Sequence, residues 1–227
     1  MKMLINGKFE DAQDGRVIEV FNPATHEKID EVPRAGTKDI NKAVDIALEG
    51  YKLNRKMPAH KRTAYLRETS RLIKSRLDEL RSLMIAENGK SYGWADFEIN
   101  KTAEIFDVVA ERVKDPQGKT YPMDAMEGCE TQVAMMYRQA MGVVGGIIPF
   151  NFPAEMLAYK AAAALVAGNS IVLKLSEDCP LTCLRIGELM LDAGIPTEVF
   201  HMLPGYGDEA GEALVALRQV ILWRMAM

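Results

Sequence analysis

The stretch GVVGGIIPFNFPAEMLAYKAAAALVAGNSIVLKLSEDCPLT, residues 142–182, decides the fold. Val143 to Ile148 is a β-branched apolar run of strand length, which predicts a buried strand. Ala154 to Val166 reads as a buried helix stopped by Gly168-Asn169. Ser170 to Leu173 is a second strand. Beyond the stretch, Pro180 to Ala193 is a helix with Cys183, Ile186, Leu189, Met190 and Ala193 facing inward, ended by Gly194 and Pro196. Val199 to Leu203 is a third strand, and Pro204 to Gly211 is a glycine-rich turn into a further helix. Strands and helices alternating at this length predict an α/β fold with a parallel, doubly wound sheet and right-handed crossovers. Such sheets bind ligands at the carboxyl ends of their strands.

Three polar motifs follow those strands. In Ile147-Ile148-Pro149-Phe150-Asn151-Phe152-Pro153 two prolines stiffen a loop around one polar side chain, Asn151. A rigid amide there is either an oxyanion donor, worth on the order of 2.7–4 kcal/mol to a transition state, or a structural Asn that serves its loop. Lys174 and Glu177, three residues apart, suit vicinal ribose hydroxyls, with the amine donating and the carboxylate accepting. They equally suit a surface ion pair worth about 0–1 kcal/mol. Gly205, Gly207 and Gly211 stand where a pyrophosphate could meet a helix start. Their G-x-G-x-x-x-G spacing is one residue longer than the dinucleotide fingerprint, Asp208 and Glu209 add negative charge, and a plain turn also fits. Each motif follows a consecutive strand, so the three converge on one sheet edge.

Upstream, Met3-Leu4-Ile5 before Asn6-Gly7, and alternating Val17 to Phe21 before Asn22-Pro23, predict short strands with turns. Residues 37–113 are helical. Thr37 is a candidate N-cap, with Ile40, Ala43, Val44, Ala47, Leu48 and Tyr51 as the apolar stripe. Pro58 suits a first turn, and Leu66, Ile73, Leu77, Leu80 and Met84 continue at helical spacing. Ile99, Ala103, Phe106, Ala110 and Val113 mark a third helix, and the charges between the stripes are expected on solvated faces. Asp115 to Gly118 reads as a turn, and Thr131 to Arg138 alternates weakly, as in an exposed β-ribbon.

The chain has 227 residues, 48% hydrophobic and 26% charged, as in an ordinary globular protein. Net charge of -4 and a pI near 5.5 argue against nucleic acid as a partner. Three cysteines without paired spacing give no disulfide framework and fit a reducing compartment. Three scattered His leave no zinc cluster. The longest apolar run, Ala161 to Leu173, has 13 residues, short of the roughly 18 that span a bilayer. The N-terminus lacks the apolar core of a signal peptide, so a cytoplasmic location without a membrane partner is expected.

Residues 142–182 and the downstream DAGIPTEVFHMLPGYGDEAG resemble the core of the aldehyde dehydrogenase superfamily. So do Glu87-Asn88-Gly89-Lys90, like that family's E-x-G-K segment, and the opening LINGKFEDAQDG and FNPATHEKIDEVP. The likeness runs from residue 1 to about 216 in matching order. It implies an incomplete Rossmann-like sheet that binds NAD or NADP. Residues 1–115 would be the N-terminal strands and helices of that cofactor domain, 116–140 a β arm that pairs subunits in a homo-oligomer, 141–216 the NAD(P)-binding core, and 217–227 an aberrant tail.

The resemblance also implies roles. Asn151 matches the oxyanion-hole amide, and Lys174 and Glu177 the contacts to the adenine ribose. Ile147, Ile148, Pro149 and Phe150 match the strand end on the nicotinamide side, and Gly207 and Gly211 the helix start near the cofactor. Glu177 resembles the choice of NAD-preferring members, because a carboxylate repels a 2′-phosphate. Leu175 stands where the family usually has proline. The implied activity is oxidation of a small aldehyde to a carboxylic acid. A cysteine thiolate attacks the aldehyde, hydride passes to NAD(P), and a glutamate activates water. That cysteine and glutamate lie well downstream of the glycine-rich turn and have no counterpart here. Cys129 falls on the arm, Cys179 at a helix start whose dipole could lower its pKa, and Cys183 in a helix core. The ending LRQVILWRMAM is expected to be truncated or frameshifted, and the isolated chain inactive. Two alternatives stand beside this reading: an acyl-CoA or acyl-phosphate reductase sharing the cofactor half, and a non-catalytic fragment that binds nucleotide or co-assembles.

Overall fold

The computed structural model describes residues 1–115 and 118–222. The opening strands are β1 (Met3–Ile5), β2 (Lys8–Glu10), β3 (Val17–Phe21) and β4 (Lys28–Pro33). Four helices follow: α1 (Thr37–Asn54), α2 (Ala59–Ser75), α3 (Leu77–Asn88) and α4 (Tyr92–Arg112). Then come β5 (Gly118–Tyr121), β6 (Ala134–Tyr137), β7 (Val143–Ile147), α5 (Pro153–Val166), β8 (Ser170–Leu175), α6 (Leu181–Asp192), β9 (Phe200–Pro204), α7 (Glu212–Ala216) and β10 (Val220–Leu222).

The main sheet has six strands in the order β10-β7-β8-β9-β1-β2. Strands β10, β7, β8 and β9 run parallel, and β1 joins β9 antiparallel through Leu4 opposite Met202. The strand period of two sorts their side chains onto two faces. Val143, Val172 and Leu203 pack with α1 and α7 against Ile40, Ala43, Val44, Ala47 and Leu214. Val144, Ile171 and Leu173 face the other way, into a core built from α2, α4, α5 and α6 with Leu66, Phe106, Leu157 and Ile186. Each fully buried side chain of this size contributes about 1.5–3 kcal/mol. Strands β3 and β4 pair as a separate ribbon, as do β5 and β6. The β5–β6 ribbon is exposed along nearly its whole length, which fits the exposed character expected of residues 131–138. Pro116 and Gln117, within the expected 115–118 turn, lie outside the described residues. No helix among the described residues is long and apolar enough to cross a membrane.

Several local expectations change. The cap of α1 is Gly36, not Thr37: Asp39 reaches back so that its Oδ2 accepts from the Gly36 N–H at 2.9 Å. Pro58 sits just before α2 rather than inside its first turn, with ψ at 141°. The apolar spacing from Leu66 to Met84 spans two helices, because Arg76, at φ -117° and ψ 22°, breaks the run between α2 and α3. Strand β8 extends to Leu175, so Lys174 belongs to the strand instead of following it. The tail expected to be aberrant from 217 onward does not depart there: Val220–Leu222 continue the sheet, parallel to β7 with Val220 opposite Val143. The rest of that tail, 223–227, lies outside the described residues.

The expectation of solvated charges fails at Glu87 and Glu98, which are 3% and 0% exposed. Glu98 on α4 closes the start of α5. Pro153 has no N–H, and the next free donors, Ala154 and Glu155, reach the Glu98 Oε1 at 2.9 and 3.3 Å. Lys90 pairs with the other oxygen. Burial pushes the Glu98 carboxyl above the usual carboxylate range, and the Lys90 ammonium opposes that. His201 on β9 is a second buried polar group. Its Nδ1 accepts from the Asn6 N–H at 3.1 Å and its Nε2 lies 3.1 Å from the Glu198 carbonyl, a donor contact. The neutral ring thus ties the β1–β2 turn to the segment before β9.

Two outcomes are expected. Burial holds the His201 imidazole down to about 4, against an ordinary value of 6.5. Its stabilisation is complete above pH 6.5 and is lost as pH falls through 4, a change of ~3 kcal/mol. Denaturant titrations across that window should show the slope, and His201→Gln should flatten it. Removing Glu98 leaves Lys90 and two helix N–H groups without their acceptor. Glu98→Ala should therefore lower the unfolding free energy by about 3–5 kcal/mol in the same assay at neutral pH; a loss typical of a surface ion pair would refute the capping role.

Candidate functional site

Because β7, β8 and β9 are parallel neighbours, the segments at their carboxyl ends share one edge. A cleft of about 380 Å³ opens there. Phe150 lines it from the segment after β7, Glu177 and Asp178 from the segment after β8, and Tyr206 from the segment after β9. Residues of β3, with Asn22 and Pro23 beyond it, and Glu87 and Asn88 at the end of α3 also line it. Of the residues singled out by sequence, Phe150 and Glu177 line the cleft, whereas Ile147, Ile148, Pro149, Asn151, Lys174, Gly207 and Gly211 do not; the residues from β3 and α3 are ones that sequence spacing did not indicate.

After β7, Ile147 and Phe150 are exposed, Pro149 is half-buried, and Ile148 is packed in the core. The buried Lys160 on α5 fixes this strand end by donating to the Ile147 carbonyl at 2.5 Å, and burial lowers its pKa. Asn151 is exposed, and its Oδ1 accepts from the Phe152 N–H at 3.1 Å. That bond orients the amide and leaves Nδ2 as its donor end, without an acceptor among the described residues. The loop-serving and oxyanion-donor readings of Asn151 are thus compatible, since they use opposite ends of one amide.

On β8, Lys174 is 4% exposed. Its Nζ meets the Glu177 Oε2 at 2.8 Å, with the Glu177 side chain 29% exposed. The pair is therefore neither a solvated surface bridge nor a sealed core bridge. The ammonium is fixed by the strand, and the carboxylate sits at the cleft wall.

After β9 the chain is helical from Gly207 itself, in a wide turn closed by the Gly211 N–H on the Tyr206 carbonyl at 3.1 Å. Two of its glycines have different explanations. A Cβ on Gly205 would stand 2.7 Å from that of Ala210, so packing demands glycine there. A Cβ on Gly207 would meet nothing within 4 Å, so packing demands nothing. The adverse charge expected from Glu209 is neutralised. Arg34 binds it through Nε and Nη2 at 2.9 and 2.6 Å, and Arg16 at 3.1 Å, which holds its carboxyl down to about 2. The Arg34 guanidinium also stacks on the Tyr206 ring at 4.6 Å.

Cys179 departs from expectation. The helix after it starts at Leu181, and the N-terminus of that helix is already filled by the Glu87 carboxylate, which accepts from the Leu181 and Thr182 N–H groups at 2.7 Å each. Burial, reinforced by the Glu87 charge, pushes the Cys179 thiol up to about 12 instead of down. Cys183 is fully buried, and burial raises its thiol well above the ordinary value. Neither is a nucleophile at neutral pH. Glu87 itself is pushed up to about 7 by burial, against the two N–H groups that favour its ionised form.

The sequence profile of the aldehyde dehydrogenase family matches residues 9–222. An NADP-dependent enzyme of Escherichia coli is 34% identical, with a TM-score of 0.92 over 96% of this chain and 45% of that one. An aldehyde dehydrogenase from Brucella melitensis biovar abortus is also 34% identical, with a TM-score of 0.92 over 96% of this chain and 44% of that one. PnpE, solved in complex with nicotinamide adenine dinucleotide, is 32% identical, with a TM-score of 0.91 over 96% of this chain and 44% of its own. The chain thus spans less than half the length of these structures. A family match that ends at Leu222, and not near 216, agrees with β10 as a regular strand of the sheet. With its order of strands, its cleft and this match together, the chain belongs to the aldehyde dehydrogenase family.

Proposed function

We propose that this chain is the cofactor-binding part of an NAD(P)-dependent enzyme that oxidises a small aldehyde to a carboxylic acid. The observation that carries the reading is the meeting of Phe150, Glu177 and Tyr206 at one cleft on the carboxyl edge of the parallel strands. Bound there, NAD(P) supplies the hydride acceptor. Lys174 donates to one ribose hydroxyl and Glu177 accepts from its neighbour, so the ribose opens the 2.8 Å ion pair and replaces it with two hydrogen bonds. The Glu177 carboxylate disfavours a 2′-phosphate, which favours NAD. Unforced glycine at 207 gives the backbone a place where a ligand can approach closely. Ile147 and Phe150 offer apolar surface to the nicotinamide side. Asn151 Nδ2 is the donor for the oxyanion that forms on the aldehyde oxygen when its carbon is attacked. The β5–β6 ribbon carries exposed Tyr121, Met135 and Tyr137, and we assign it to pairing of subunits in a homo-oligomer.

Calorimetric titration tests the cofactor site. The chain should bind NAD more tightly than NADP. Lys174→Met should weaken NAD at least tenfold, the scale of one charge-assisted hydrogen bond of about 1.5–3 kcal/mol. Glu177→Gln should narrow the preference over NADP; failure of the wild-type chain to bind NAD would overturn the reading. The chain alone should produce no NADH from aldehyde and NAD, because Cys179 and Cys183 are buried with raised pKa values and Cys129 lies between the strands of the arm. Measurable NADH formation by the purified chain would refute that expectation.

A further inference from the structure

The segments that follow β7 and β8 are held less by the sheet than by the end of α3. Past Ile147 the ladder adds one bond, from the Ile148 N–H to the Lys174 carbonyl at 2.9 Å. The Phe150 carbonyl then accepts from the Asn88 Nδ2 at 2.7 Å. The same carbonyl also accepts from the Cys179 thiol at 3.2 Å. One residue earlier on α3, the two Glu87 oxygens accept from the Leu181 and Thr182 N–H groups. Two adjacent side chains thus bind the two segments, and the segments bind each other at one shared carbonyl. The α3 terminus is itself fixed. Gly89, at φ +74°, ends it, and a Cβ there would come within 2.8 Å of Pro23. Glu87 is 3% exposed, so its bonds are shielded from competing water.

We propose that Glu87 and Asn88 act as a latch that positions the segment carrying Asn151 and the segment carrying Glu177 as one unit. They are positioning residues. The oxyanion amide and the ribose carboxylate lie on loops that would otherwise open separately, since sheet-edge loops are the least stable parts of such folds. Joined at the Phe150 carbonyl, they keep a fixed spacing. Misplacement of a donor by about 1 Å costs on the order of 100-fold in such sites. The functional consequence rests on the cofactor reading; the mechanical coupling does not.

Hydrogen exchange on the purified chain separates the two. Asn88→Ala and Glu87→Gln should each speed amide exchange in both 150–152 and 176–182 by roughly fivefold, the factor that follows from losing one net hydrogen bond. Exchange in α1 should stay unchanged, which excludes general loosening. ADP-ribose, the part of NAD that the ribose pair holds, should slow exchange in 150–152 in the wild type and fail to do so in Asn88→Ala. Variants that loosen only the segment they touch overturn the latch, as does ADP-ribose protection confined to 176–182 in the wild type. A wild-type chain that binds no ADP-ribose sinks the cofactor reading, while the exchange pattern of the variants still decides the latch. Asn88 is half-buried, so its variant decides the matter if Glu87→Gln does not fold.

Discussion

A parallel sheet directs every strand's carboxyl end to one edge, and the helix that follows each strand starts beside that edge with its N–H groups unpaired. Those starts concentrate positive dipole ends and unsatisfied donors where a ligand is to bind. In this chain the first two are closed from outside the sheet. Glu98 on α4 caps α5, and Glu87 on α3 caps α6. The helical layer made by α2, α3 and α4 is therefore more than a lid on the core. It supplies the counter-charges that allow α5 and α6 to begin inside the protein, and it fixes the loops between strand and helix. Closing α5 and α6 in this way also takes their N-termini out of competition for anionic ligands.

The same constraint explains how the cysteines behave. A thiol before a helix start usually gains from the dipole. Here a carboxylate already occupies that start, and the thiol beside it meets negative charge and burial together. The sequence around Cys179 carries the helix signal but no sign of Glu87, which is 92 positions upstream and arrives only through the fold.

Most of the architecture was legible because it rests on local rules. Apolar runs of strand length between 143 and 203, each bounded by Gly, Pro or Asn, yield β7, β8 and β9, and the stripes from Ile40 and Ile99 yield α1 and α4. The break at Arg76 was hidden, since Leu66 to Met84 keep helical spacing across it and no Gly or Pro marks the interruption. Strand β10 was hidden for another reason: Val220-Ile221-Leu222 is short, and only the open edge of β7 identifies it as a strand. Sequence singled out Asn151, Glu177 and the glycine turn by their places after strands, and Lys174 by its spacing from Glu177, although Lys174 lies inside β8. It could not find Glu87, Glu98, Lys160 or Arg34. Charged residues look solvated until the partner that binds them is known, and each partner here lies at least eight residues away.

The Lys174–Glu177 pair shows why geometry alone left two readings of that motif. An almost fully buried ammonium on a strand needs an anionic or polar partner whatever the protein does, because an unpaired charge there costs several kcal/mol. Glu177 meets that need without any ligand. What distinguishes a ribose site from a bridge is the asymmetry of the two ends. The ammonium is fixed by β8, whereas the carboxylate stands on the following loop at the wall of an open cleft. A diol entering the pair can donate to the carboxylate and accept from the ammonium, so neither charge loses its partner during the exchange. The cost of opening the bridge is thereby offset within the complex. A surface bridge offers no enclosed approach for such a diol, and a fully buried one no approach at all; a pair half open to the cleft offers one.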